Sequence, residues 1–314
     1  MIDQLAQDYA NQPVVLIDYH YSLDVPPLFE PPQARWEVIQ ATEEGLGLTW
    51  AIVDSGRLHH RGAELPKEAY ETYVEMINDS LAQPATAEIN ALWWMSGNTV
   101  KITATVTNNS TVTLSPVNNA GVYGIVKESG VQYETHTTHH AGLNAAKTAI
   151  SSLEPGQTAT FEIDVPDIHP TYWENVEVIV LVDYQTAPGE HYEQLQATIA
   201  SPALFANPTR HIYFLDDDQT NVPDFSSTVI GIEGLTFSVS SNQSWLSTVP
   251  ANGVVGDTLR LTTNGDLLVP GWNIATVNIT NSTYGYSTYL KVSIYKAPLG
   301  EVIDRIYMPL ITKP

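Results

Sequence analysis

Cysteine is absent from the 314-residue sequence. This absence excludes disulfide bonds, thiolate zinc sites, cysteine nucleophiles and dithiol redox chemistry. Basic residues are also scarce: 13 Lys and Arg stand against 35 Asp and Glu, which gives a net charge of −22 although only 15% of residues are charged. Because a polyanionic surface repels phosphate backbones and anionic lipid headgroups, nucleic acids and membrane surfaces are poor partners.

Long apolar runs and catalytic signatures are missing as well. No stretch reaches the roughly 18 to 20 apolar residues that a membrane-spanning helix needs, so we expect no membrane span. The sequence contains no G-x-S-x-G, H-E-x-x-H or G-x-x-x-x-G-K-[ST] motif, and the spacing of its carboxylates defines no glycosidase pair. We therefore expect a non-enzymatic protein with no cofactor.

What is present is enough apolar material for sizeable cores: 43% hydrophobic residues, 7 Trp and 16 Tyr. The sequence begins without a basic-then-apolar signal segment. Instead Ile2, Leu5 and Tyr9 have the spacing of one helical face, which predicts a helix from the first residues of the sequence. We expect a truncated or processed form whose first domain is incomplete.

Residues 1–84 alternate between helical and strand patterns, which indicates a small α/β unit. The order of these elements resembles a thioredoxin-like domain without the strand and Cys-x-x-C loop that precede its first long helix. The elements are a helix, a strand at 14–19, a strand at 48–54, a turn at 54–56 and a helix from Pro66 to Leu81. The Cys-x-x-C segment has no counterpart, and Thr49 occupies the position of the family's cis-proline. A thioredoxin-like redox protein whose Cys-x-x-C lies upstream is therefore an alternative, while the chain itself has no thiolate for exchange.

Beyond residue 84 the helical period stops and short alternating segments begin. Residues 85–202 predict an antiparallel β-sandwich of the immunoglobulin-like (Ig-like) kind, 203–225 a linker or edge strand, 226–297 a second sandwich, and 298–314 a C-terminal tail. The tail ends in an apolar run at 306–311, which needs a surface on which to dock.

The C-terminal sandwich resembles the BACON domain, an Ig-like module of bacterial extracellular proteins. The resemblance is carried by the segments 243–247 (QSWLS), 250–253 (PANG), 258–263 (TLRLTT) and 271–277 (GWNIATV). It implies a spacer or glycan-binding role, no transferable catalytic residue, and a bacterial cell-surface or secreted location. A carbohydrate-binding module is accordingly a further alternative.

Two groups of residues are candidate metal ligands. His136, His139 and His140 could converge on one ion, although a solvated Thr-rich loop is the simpler interpretation. Asp216 and Asp218 offer hard oxygen ligands for calcium, but their spacing lacks the glycine and distal glutamate of a calcium loop, so a hydrated linker competes. Calcium is the one cofactor that the pattern leaves open.

Aromatic residues give the remaining signal. Trp245 and Trp272 stand where a sandwich usually places core aromatics, and we expect both in the core. Tyr284 and Tyr286 lie on a predicted hairpin loop and are candidates for contact with a ligand. The expected partners are a protein or glycan at the cell surface, and a second copy of the chain that covers the incomplete N-terminal domain.

Overall fold

The computed structural model describes residues 2–17, 50–61, 66–132, 137–138, 140–187, 190–217 and 219–299. This part of the chain is mostly β-sheet. It divides into two compact units, Met1–Ser201 and Pro202–Pro314. No helix among the described residues is long and apolar enough to cross a membrane.

The first unit contains two helices and twelve strands within its described residues. The helices are α1 (Ile2–Asp8) and α2 (Pro66–Leu81). The strands are β1 (Trp50–Val53), β2 (Leu58–Arg61), β3 (Ala87–Ser96), β4 (Thr99–Asn108), β5 (Gly121–Glu128), β6 (Val131–Gln132), β7 (Thr137–Thr138), β8 (Ala141–Ala149), β9 (Thr158–Val165), β10 (Val176–Gln185), β11 (Tyr192–Ile199) and β12 (Ser201–Pro202).

Two four-stranded sheets, β11-β10-β5-β8 and β12-β3-β4-β9, form a β-sandwich in this unit. Strand β4 alternates strictly: Val100, Ile102 and Val106 are buried, and the threonines between them face outward. Gly124 of β5 shows how closely the sheets approach, because a Cβ there would lie 2.4 Å from Cδ1 of Ile102 on β4. The predicted antiparallel sandwich after residue 84 is therefore present.

The described parts of residues 1–84 belong to the same compact unit as this sandwich. The hydroxyl of Tyr9 donates to Oδ1 of Asn78 at 2.9 Å, which joins the segment after α1 to α2. Strands β1 and β2 form a hairpin around the turn at Asp54–Gly56. Thr49, and with it the cis-proline comparison, lies outside the described residues.

The prediction of a strand at 14–19 is wrong for residues 14–17, which belong to no strand. Residues 18–19 lie outside the described residues. Val15 and Ile17 pack instead against an apolar cluster on β5 and β10 that includes Tyr123 and Leu181. An apolar run can be buried by lying on a sheet as well as by pairing within one, and period alone does not separate the two.

The second unit contains nine strands in its described part: β13 (Leu204–Asn207), β14 (Arg210–Leu215), β15 (Phe225–Gly231), β16 (Thr236–Ser241), β17 (Leu246–Val249), β18 (Asn252–Val254), β19 (Thr258–Thr263), β20 (Gly271–Thr280) and β21 (Ser287–Lys296). They form a four-stranded sheet, β13-β15-β19-β17, and a five-stranded sheet, β14-β21-β20-β16-β18. The pairing is antiparallel except between β14 and β21. The range 203–225, predicted as a linker or edge strand, contributes β13 and β14, each at the edge of a sheet.

The core of the second unit lies between these sheets. It contains inward residues of both, together with Trp245. Trp245 is 6% exposed, as expected for a core aromatic. Burial of alternate residues on both sheets is the arrangement of a β-sandwich.

Candidate functional site

The loop between β20 and β21 holds both candidate tyrosines. Buried Asn281 organises it: Oδ1 accepts from the Tyr284 N–H at 2.8 Å, and Nδ2 donates to the Thr236 carbonyl at 2.8 Å. Gly285 has φ +74°, a left-handed conformation that glycine adopts without strain. The loop is thus tied to strand β16 by a buried side chain rather than left unsupported.

Tyr284 and Tyr286 stack on one another on this loop. Their ring centroids are 5.6 Å apart with an interplanar angle of 21°. Tyr284 is 65% exposed, whereas Tyr286 is half-buried and packs against the core. The loop therefore presents one tyrosine ring to solvent and supports it with the other.

A shallow, open depression of about 390 Å³ adjoins this loop, because Ser282 lines it. Its remaining lining comes from neighbouring strands and carries no charged side chain: Thr236, Phe237, Ser238, Asn252, Gly253, Val254 and Thr280. Hydroxyl and amide groups here can both donate and accept hydrogen bonds. An exposed aromatic ring beside neutral hydrogen-bonding groups can bind a polar, uncharged ligand.

Trp272 is not in the core, and this part of the sequence prediction is wrong. It is 52% exposed and lies on the outer face of the five-stranded sheet. The register places Tyr295 opposite both Phe214 on β14 and Trp272 on β20, so the three rings form one row across the sheet. Sequence reasoning missed this row. The sequence did contain a signal for this row: the apolar residues Ala275, Val277 and Ile279 alternate and face the core. The even-numbered residues of β20, Trp272 among them, therefore face outward.

Asn273 faces the interior although it is polar, because the backbone at the start of β20 and in the turn before it satisfies its hydrogen bonds. Its side chain is buried and accepts from the Val269 N–H at 3.0 Å, while Nδ2 donates to the carbonyls of Val269 at 2.8 Å and Gly271 at 3.1 Å. A buried amide with satisfied hydrogen bonds fits inside a sandwich. The inward Asn273 leaves the neighbouring Trp272 outside.

The predicted metal ligands are only partly described. His136, His139 and Asp218 lie outside the described residues. His140 has Nδ1 3.3 Å from Nζ of Lys127, and the backbone carbonyl of Asp216 accepts from the Gln219 N–H at 3.2 Å. Within the described ranges, no group of three or more His, Asp or Glu side chains is arranged to hold a metal ion.

The lysine beside His140 changes the chemistry of that position. Lys127 has a side chain that is 5% exposed, and Nζ lies 2.6 Å from a Glu177 carboxylate oxygen and donates to the Leu16 carbonyl at 3.1 Å. An ammonium group repels a metal cation at this distance. The buried lysine pairs with the half-exposed Glu177 and so ties β5 to β10 and to the segment before residue 18.

Comparisons with known proteins concern the fold alone. No protein-family model matches the chain, and no curated protein matches it. The solved structures that are similar at low TM-scores include Escherichia coli alpha-2-macroglobulin activated by porcine elastase (TM-score 0.28, 9% identity, 69% of this chain and 22% of that one). They also include the ligand-binding region of serine-glutamate repeat protein A of Enterococcus faecium (TM-score 0.20, 13% identity, 36% of this chain and 87% of that one). Tandem immunoglobulin domains of titin are similar as well (TM-score 0.20, 9% identity, 67% of this chain and 97% of that one). The β-sandwich assignment rests on the strand pairing described above.

Proposed function

We propose that this chain is a non-enzymatic, modular protein of a bacterial cell surface or secreted fraction, and that its second unit binds carbohydrate. The proposal is carried by the exposed Tyr284 ring on a loop whose Ser282 lines a neutral polar depression. Sugar rings combine apolar faces with hydroxyl groups, so an aromatic face and uncharged hydrogen-bonding side chains suit them together. The rigid loop lowers the entropy lost on binding.

The BACON-like residues of the second unit support the same role, because that family is extracellular and has been linked to glycans. Residues 1–84 resemble a thioredoxin-like domain but lack that family's cysteines, so we propose a scaffold role for that region. Without cysteine, this chain supplies no thiolate for redox chemistry. The many hydroxyl groups on the outer face of β4 and β9, such as the Thr105–Thr160 and Thr107–Thr158 pairs, suit a hydrated surface.

A glycan array tests the proposal with the full chain. We expect retention of at least one glycan class and a loss of about tenfold in affinity for Tyr284→Ala, equivalent to about 1.4 kcal/mol. Tyr172→Ala is the matched control, because Tyr172 is an exposed tyrosine of the first unit. An array without retention, or an equal loss in the control, would reject carbohydrate binding at this loop. Fractionation of the producing cells tests the location, and recovery only from the cytoplasm would contradict it.

A further inference from the structure

A second surface lies at the opposite end of the β20–β21 hairpin from the tyrosine loop. It consists of Ile212 and Phe214 on β14, Trp272 and Ile274 on β20, and Tyr295 on β21, and is called the apolar face below. The isoleucines form the row next to the aromatic row, since Ser293 is opposite both of them. Four of these five side chains are large exposed hydrophobic groups. A contiguous exposed surface of this kind marks a site of interaction.

The rings of the apolar face are poorly arranged for a sugar. Trp272 meets Phe214 at 67° and Tyr295 at 65°, with centroids 5.6 Å and 5.4 Å apart. Edge-to-face rings form a ridged surface rather than a flat platform. The flanking isoleucines cannot hydrogen-bond to hydroxyl groups. The surface therefore fits apolar side chains of a polypeptide.

The charge around the apolar face differs from that of the whole chain. The next row of the sheet presents Arg210 and Lys291, which are opposite each other. Strands β14, β20 and β21 contain no Asp or Glu, although the chain has a net charge of −22. A segment that covers this face can therefore carry carboxylates beside its apolar residues without repulsion.

The C-terminal segment of the chain has the matching composition. Residues 306–311 read Ile-Tyr-Met-Pro-Leu-Ile, and Glu301, Asp304 and Arg305 precede them, so that residues 301–311 carry a net charge of −1. If this segment is extended, Ile306, Met308 and Leu310 project to one side, because side chains alternate. Pro309 lacks an N–H, which favours packing on a sheet face over pairing within a sheet.

The C-terminal segment can reach the apolar face because it follows directly after β21. Strand β21 ends at Lys296, next to Tyr295 of the apolar face, and the description stops at Leu299. Residues 297–306 span up to about 33 Å when extended, whereas three adjacent strands span only about 10 Å. We infer that residues 301–311 fold back and dock on the apolar face, so that the tail of the chain covers Trp272.

Fluorine NMR of the full chain labelled with 5-fluorotryptophan tests this docking. The Trp272 resonance is assigned from its loss in Trp272→Phe, and the resonance of buried Trp245 reports that the sandwich is folded. We expect the Trp272 resonance to shift toward its solvent-exposed position in the double variant Met308→Asp and Leu310→Asp, while Trp245 is unchanged. The double variant Thr312→Asp and Pro314→Asp is the matched control, because it adds the same two negative charges outside the apolar run.

A peptide of residues 300–314 added to the double variant should return the Trp272 resonance saturably to its original position. An unchanged Trp272 resonance in the double variant would overturn the inference. So would a resonance that depends on protein concentration in the same way with and without the tail substitutions, because a second copy would then cover the face. This surface is distinct from the Tyr284 loop, so a negative glycan array leaves the result intact.

Discussion

Substitution of Asn273 by alanine tests the hydrogen bonds that tie this buried side chain to the start of β20 and to the turn before it. Three bonds of 3.1 Å or shorter connect this buried amide to Val269 and Gly271. At about 1 kcal/mol net for each bond, Asn273→Ala should lower the free energy of unfolding of the second unit by about 3 kcal/mol. With a urea dependence of about 2 kcal/mol/M, the unfolding midpoint should fall by about 1.5 M.

Asn278→Ala is the matched control for this substitution. Asn278 is the same residue type on the same strand, but it faces outward and is exposed. A surface substitution of this kind should change stability by less than about 0.5 kcal/mol. Hydrogen–deuterium exchange across a urea series, measured on peptides from β20 and β21, assigns the transition to this unit. Equal midpoints for the two variants would refute the role given to Asn273.

Three further predictions concern packing and charge. Lys127→Ala should destabilise the first unit by about 1 to 2 kcal/mol in thermal unfolding, since it removes a buried side chain that donates to the Leu16 carbonyl and pairs with the half-exposed Glu177. Lys101→Ala should cost less than about 0.5 kcal/mol because both members of its pair are more exposed. Trp245→Ala should cost the second unit about 3 to 5 kcal/mol in urea unfolding, as a buried aromatic does. The hydrogen bonds from Arg260 lower the pKa of the Asp224 carboxyl. The stabilisation from the ionised Asp224 is therefore present above the unfolded pKa of about 3.9 and is lost as the pH falls through the lower folded pKa. Carboxyl-carbon NMR should show the pKa of Asp224 rising toward its usual range in Arg260→Ala.

Local patterns were sufficient to predict several parts of this molecule. The exposed tyrosine on the hairpin loop followed from Asn, Ser, Thr and Gly between two alternating runs, because such residues favour turns. The same patterns did not separate a strand from an apolar segment that lies on a sheet, as residues 14–17 show. Only the folded sandwich supplies the surface against which Val15 and Ile17 are partly buried.

The amino-acid order alone established the absence of thiol chemistry, the acidic charge and the change from mixed to β-rich periodicity after residue 84. These properties depend on composition or on neighbours along the chain. Folding decided that Asn273 points inward and Trp272 outward, against the ranking of the two side chains by hydrophobicity. The reason is physical: a polar side chain is stable in the interior once it meets carbonyl and N–H groups that satisfy its hydrogen bonds. In this chain those groups are the backbone of Val269 and Gly271, which the turn into β20 brings against the Asn273 side chain.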